Sequence, residues 1–312
     1  MSLSTSGFAP AASGLLSRRA FLGSGLAGFV AVASVVTLSG CQRPSTIAVK
    51  QVSLNNARED NSDAVIGKKQ IRIGMEAAYA PYNWQVSQAS DYTIPIDNVA
   101  GAYADGYDVQ VAKIVCRAIN PDAEPVAVKM SFSGLIDSLN NGQIDLIIAG
   151  MTATPERKQS VDFSESYFTQ RFGLFVKEGS PYASATKLSD FSGAAVLGQK
   201  DTELDTVIDE IPGVNHVSPV DSVPSVFSRL LQNTVDAVTY NVENEAGYMK
   251  QNPGIVPVHF AEGEGFKTTL EVNVGMRKGS KKLLKIVNGA LEGISEDERT
   301  QMWNAVLERQ PS

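Results

Sequence analysis

Ile144-Asp-Leu-Ile-Ile-Ala-Gly-Met-Thr-Ala-Thr-Pro-Glu-Arg157 is the stretch that decides how this 312-residue chain is read. The apolar run over 144–149 has the pattern of a strand covered on both faces, and Gly150 lets backbone approach a ligand with no side chain between. A helix should follow at once. Thr154 is a good N-cap, Pro155 suits the first helical position, and Glu156 sits at the positive end of the helix dipole. Amides around Thr152 would then face outward with partial positive charge, and Arg157 would add a planar, two-pronged donor. The combination suits a carboxylate; the alternative for Arg157 is a solvated surface charge.

Strand and helix signals alternate around this unit. Residues 71–74 and 126–129 read as short strands, 108–119 as a helix with Asp108 available as its cap, and 133–141 as a helix stopped by Gly142. The grammar then repeats, with strands over 194–198 and 235–240 and helices over 202–209 and 222–232. Ser295-Glu-Asp-Glu298 forms a capping box before an amphipathic stretch to Arg309. The fold class is therefore α/β, with a second α/β lobe after the first.

The N-terminal end carries a different message. Residues 1–40 hold no acid and two bases, Arg18 and Arg19, ahead of a largely apolar stretch closing on Leu38-Ser-Gly-Cys41. This is the pattern of an export signal with a lipid-attachment end at Cys41, and Ser17-Arg-Arg-Ala-Phe-Leu22 fits twin-arginine export. A permanent membrane helix is the alternative, since the length would suffice. Residues 42–69 are polar and without apolar period, as a flexible tether would be. Loss of the leader removes two of the 27 basic residues and none of the 34 acidic ones, taking the formal net charge from −7 to −9. With no basic cluster interleaved with aromatics, nucleic acid is not expected as a partner. Cys116 lies in the apolar pattern Val111, Val115, Ile119 and reads as a small core residue. His216 and His259 are far apart, without a close carboxylate pattern, so no metal site is expected, and no phosphate loop or dinucleotide fingerprint suggests a cofactor.

Five segments, in order, carry a resemblance: Ile71-Arg-Ile-Gly-Met-Glu-Ala-Ala-Tyr-Ala-Pro-Tyr82, Asp105-Gly-Tyr-Asp-Val109, Gly134-Leu-Ile-Asp-Ser-Leu139, the opening stretch, and Val161-Asp-Phe-Ser-Glu-Ser-Tyr167. The chain resembles the family-3 extracellular solute-binding proteins, polar amino-acid receptors of ABC importers. The resemblance implies a periplasmic-binding-protein-like fold of two lobes, each a mixed sheet flanked by helices, joined by a two-strand hinge that closes on ligand. It places lobe 1 over 70–172 plus 266–312, lobe 2 over 173–265, and the crossovers over 171–176 and 267–272. It also implies an extracytoplasmic, lipid-anchored monomer that partners the transmembrane subunits of a permease and needs no cofactor.

Residue by residue, the resemblance puts Arg157 and the Thr152 amide on the ligand carboxylate, and the Gly150 carbonyl and Thr152 hydroxyl on its ammonium. Met151 shares that loop as a ligand-binding position. Glu76 would face the distal end of the ligand side chain, Tyr79 and Phe132 would be aromatic walls, and Thr202 a contact from lobe 2. Asn241 is a departure: the family usually has an acid there to neutralise the ammonium, so either Glu243 or Glu245 replaces that charge or the ligand lacks an ordinary α-ammonium. Asp201 is another, standing where a glycine is common. With Glu76, Asp201 and Glu271 expected near the distal end, a neutral polar or cationic amino acid is the expected ligand. The competing readings are a dehydratase of the same fold acting on a prephenate-like acid, and a sensor-linked receptor. No catalytic residues are assigned, because no general acid and base stand at suitable spacing; Asp162 and Glu165 read as structural.

Overall fold

The computed structural model describes Asp60 and residues 62–311. The expected export signal over 1–40, Cys41 and the tether up to residue 59 lie outside the described residues. The last part of the expected tether is folded instead. Asp63–Ile66 is a short helix with Val65 in the core. Ser62 Oγ accepts the N–H of Leu283 at 2.8 Å, and Asp60 Oδ2 accepts that of Lys282 at 3.3 Å. The helix Lys281–Glu292 starts after Ser280, whose side chain makes no cap bond, so residues far upstream satisfy its first N–H groups.

The central strand Gln70–Met75 runs parallel to Glu124–Lys129 on one side and Leu146–Ile147 on the other. Parallel neighbours need crossovers, and Tyr107–Ile119 and Leu135–Asn140 supply them. The run over 144–149 is buried throughout, as its composition predicts. Only Leu146–Ile147 keeps the ladder, because the backbone then turns away to reach Gly150 at φ 62°. The helix expected to be capped by Asp108 is entered differently. Gly106, at φ 135°, holds the N-cap position, and a Cβ there would lie 2.1 Å from Tyr82 O. Pro81 O and Tyr82 O accept the N–H groups of Tyr107 and Asp108, at 2.9 and 2.8 Å, which frees the Asp108 carboxylate to point inward.

One strand serves both halves of the molecule. Over 161–171, Val161–Lys177 pairs antiparallel with Thr269–Arg277; from Phe172 onward it pairs with Ala237–Asn241 and Ile255–Val258. Ala195–Leu197 and Asn215–His216 extend this second sheet in parallel. The rungs Thr269↔Arg171 and Asn241↔Phe172 mark the point where the long strand changes partners. One apolar cluster runs from the first sheet into the second, reaching Phe175, Leu197, Val238 and Tyr240, and a separate cluster holds Leu174, Val176, Phe191 and Val196 of the second half. The helix expected over 202–209 tightens midway, from Glu203–Thr206 into a 3-10 turn at Val207–Glu210. The capping box forms as the spacing predicts, Glu298 Oε2 accepting the N–H of Ser295 at 2.9 Å. Among the described residues no helix is long and apolar enough to cross a membrane.

Candidate ligand-binding cleft

The segment that opened the sequence reading forms one wall of a cleft between the lobes. Thr154 Oγ1 accepts the Arg157 N–H at 3.3 Å and Pro155 opens the helix Pro155–Ser160. The Arg157 side chain folds back toward the strand end. Nη1 donates to Thr152 O at 2.9 Å, Nη2 to Asp201 O at 2.6 Å, and the guanidinium carbon lies 5.2 Å from the centre of the Phe132 ring. A guanidinium keeps further N–H groups for an anion after these two bonds. Burial draws its pKa below the ordinary arginine value, with Glu203, Asp201 and Glu156 opposing the shift.

Gly150 is held from behind. Its N–H donates to Tyr167 Oη at 3.2 Å, and that hydroxyl donates to Asp108 Oδ1 at 2.6 Å. Asn83 Nδ2 donates to the other oxygen of Asp108 at 2.8 Å, while Asn83 Oδ1 accepts the Ala77 N–H at 2.7 Å. One buried carboxylate thus fixes both Gly150 and the residue after Glu76. Burial pushes Asp108 up to about 6, against the pull of the Tyr167 and Asn83 hydrogen bonds.

On the same lobe, Glu76 is 7% exposed and receives Gln199 Nε2 from the other lobe at 3.0 and 3.1 Å on its two oxygens. Burial raises Glu76 to about 7, and the Gln199 hydrogen bond acts the other way. Tyr79 stacks on Tyr82 with ring centres 4.8 Å apart. Its hydroxyl donates to Asn241 Oδ1, and Asn241 Nδ2 donates to Gln170 Oε1. Asn244 Nδ2 adds a further bond between the lobes, to Ala80 O at 3.2 Å.

The cleft is narrow, with a free volume of about 20 Å³, and is bounded by Glu76, Tyr79, Phe132, Gly150, Thr152 and Arg157 from one lobe and by Thr202 and its neighbours from the other. Met151 and Asn241 are not part of that lining: Met151 is buried behind it with its carbonyl accepting the Asn273 N–H, and Asn241 lies fully buried between Tyr79 and Gln170. Thr202 stands at the N-cap position, yet its hydroxyl donates to Gln199 O at 2.7 Å rather than capping the helix. Asp201 adopts φ 60°, the conformation a glycine takes readily, and offers its carbonyl to Arg157. Glu271 is exposed on its strand, Glu243 is bound to Arg171 at 3.0 Å, and Glu245 accepts the Tyr240 hydroxyl; none of the three lines the cleft.

Gln199, Glu203, Leu204 and Leu270 line the cleft without having been singled out in the sequence. Only their nearness to Thr202 and to the second crossing strand could have pointed to them. Elsewhere, Cys116 is buried with its thiol pushed up to about 12 by burial. Asp162 accepts the Gly279 N–H at 2.7 Å and pairs with Lys278 at 3.0 Å, a structural role as expected. His216 does have carboxylate neighbours, Asp205 at 2.8 Å and Asp209 at 2.9 Å, brought together by the fold.

The cleft has an anion-holding side at Arg157 and Thr152 and acidic groups, Glu76 and Glu203, on the rest of its lining. That polarity suits a small solute carrying both signs of charge, held between two lobes that crossing strands join. The chain belongs to the bacterial extracellular solute-binding proteins, family 3, whose model matches residues 71–305. It is similar to the arginine-binding extracellular protein ArtP of Bacillus subtilis, 26% identical over 250 residues that span 78% of this chain and 91% of that protein. It is also similar to the ABC transporter glutamine-binding protein GlnH of the same organism, 29% identical over 205 residues, 65% of this chain and 72% of that one. Among solved structures, a Gly52Ala mutant of arginine-bound ArgBP from T. maritima superposes with a TM-score of 0.62 at 27% identity, covering 75% of this chain and 99% of that one.

Proposed function

We propose that this chain is the extracytoplasmic substrate-binding component of an ABC importer, capturing a polar, neutral or cationic L-amino acid between its lobes and delivering it to the permease. The observation that carries this is the Arg157 guanidinium, held in the cleft by Thr152 and Asp201 carbonyls with donors to spare, in a lining it shares with the buried Glu76. Arg157 and Thr152 hold the ligand carboxylate, Gly150 its ammonium, Tyr79 and Phe132 its stem, and Glu76 its distal end. Met151 and Asn241 support the site from behind, Asn241 through Tyr79.

Lobe 1 runs over 70–172 and 266–312 and lobe 2 over 173–265, and ligand shifts the open–closed equilibrium only by its differential affinity for the two states. Cys41 carries the lipid after twin-arginine export and cleavage, and the protein acts as a monomer anchored to the membrane. It binds and does not turn over its ligand. A dehydratase would use Glu76 as general acid, but the group hydrogen-bonded to its carboxylate is the carboxamide of Gln199, which cannot serve as the partner base.

The test is a thermal-shift screen against the twenty amino acids, ornithine, cystine and prephenate. Specific binding raises the melting temperature by mass action. A rise with one or two polar amino acids, lost in Arg157→Ala, is the expected result. No rise with any amino acid, or product formed from prephenate, overturns the reading.

A further inference from the structure

The distal end of the cleft is walled by groups that accept hydrogen bonds. Gln199 Nε2 donates to both oxygens of Glu76, at 3.0 and 3.1 Å, and to Asp221 O at 3.2 Å. A carboxamide nitrogen carries two N–H groups, so three surrounding oxygens leave none for a ligand. Gln199 is 2% exposed, and the bond joins residues from the two lobes. What remains for a ligand at this end is carboxylate and carboxamide oxygen.

We propose that Gln199 is a specificity-determining residue of the amino-acid site: by committing both N–H groups to Glu76 and Asp221 it makes the distal wall acceptor-only. Such a wall favours a side chain ending in donors alone, an ammonium or a guanidinium, over one ending in a carboxamide or carboxylate. The inference rests on the amino-acid-receptor reading and narrows it from polar to cationic ligands.

The selection comes from the asymmetry of unpaired groups. A guanidinium brings five donors and no acceptor, and oxygens await it. A carboxamide brings an oxygen for which the wall has no donor, and burying that oxygen unpaired lowers affinity on the order of tenfold or more. A carboxylate fares worse against Glu76, as like charges in a buried site.

Glu76 can supply a donor only by taking up a proton. The titratable groups lining the cleft with it are Arg157, Glu203 and Tyr79. Burial is the largest influence on Glu76 and favours the protonated form, the Gln199 hydrogen bond favours the carboxylate, and the midpoint lies at about 7. Protonated Glu76 can offer its O–H to a carboxamide, and ionised Glu76 attracts a cation. Selectivity for guanidinium over carboxamide should therefore rise with pH through neutrality.

The test is calorimetric titration of the full chain with L-arginine and L-glutamine at pH 6 and pH 8, for the wild type, Gln199→Met and Gln199→Leu. The wild type should prefer L-arginine, with an arginine-to-glutamine affinity ratio rising by about ten- to a hundredfold between the two pH values, the upper figure being that of a full one-proton difference between the two complexes. Gln199→Met keeps the side-chain length without an N–H and should lower the ratio at pH 8 by about tenfold, because Glu76 loses the bond that favours its ionised form. Gln199→Leu should do the same. An unchanged ratio in both variants, or a wild type that prefers L-glutamine at pH 8, overturns the inference and leaves the receptor reading standing. A chain that binds neither probe overturns the inference, and silence across the whole amino-acid panel overturns both. The wild-type pH series stands even if a variant fails to fold.

Discussion

The two ends of the cleft are built in opposite ways. At the proximal end Gly150, Thr152, Thr154 and Arg157 are close in sequence, and each takes its place largely from a chain neighbour: Thr154 caps the helix, the helix aims Arg157, and Arg157 returns to Thr152 O. At the distal end Glu76 and Gln199 stand 123 positions apart and meet only where the lobes close on each other. The contrast separates what a short stretch can encode, the proposed holder for a carboxylate, from what needs the whole fold, the proposed wall that discriminates among side chains. A shared backbone recognition at one end and a variable reader at the other suits a family whose members carry different ligand names.

The largest expected effect is at the proximal end. Arg157→Ala should reduce affinity for every amino-acid ligand by a factor on the order of 10²–10³, the consequence of leaving a desolvated carboxylate without its charged partner. Titration calorimetry reads this directly, and a loss confined to one ligand would break the division between the two ends.

Next in size is a pH effect at the distal end. Glu76 is raised by burial from an ordinary 4.5 to about 7, so folding favours its protonated form. That contribution is full below about pH 4.5 and is lost as pH rises through 7. With no amino acid added, stability to urea should fall by about 3 kcal/mol over this window through Glu76 alone. Asp108, raised to about 6, adds a slope of the same sign at lower pH, so the difference between wild type and Glu76→Gln isolates the Glu76 share. Curves that run parallel would show that Glu76 titrates as an exposed acid.

The closure contacts sharpen the comparison further. Tyr79→Phe removes the hydroxyl that Asn241 accepts and leaves a buried amide oxygen unpaired, which should lower stability by about 1–2 kcal/mol. Asn241→Ala in the same background should then cost less than it does alone, a coupling that a double-mutant cycle of melting temperatures measures. The smallest effect is at the cap. Thr154→Ala should cost about 1 kcal/mol of stability and weaken all ligands equally, without changing their order.

Much of the proximal end was legible because caps, proline at the first helical turn and a buried apolar run act over a few residues. The strand and helix alternation was equally legible, and the five segments in register gave the two-lobed fold. Three features were not. Asp108 looks like a helix cap in sequence, but Pro81 and Tyr82 carbonyls take that task and the carboxylate turns inward to Asn83 and Tyr167. Ser62 and Asp60 read as tether, yet they cap a helix that begins some 220 residues later. Gln199 sits in a polar loop with no periodic signal, and its partner is in the other lobe. In each case the deciding hydrogen bond is long-range, and local pattern carries no trace of it.

The most direct test is a matrix of affinities for L-arginine, L-lysine, L-histidine and L-glutamine, measured on the wild type, Arg157→Ala and Glu76→Gln. Arg157→Ala should weaken all four by a common factor and keep their order, whereas Glu76→Gln should reverse the order by weakening the cationic ligands and sparing L-glutamine. A reordered series in Arg157→Ala, or an unchanged order in Glu76→Gln, would contradict that expectation.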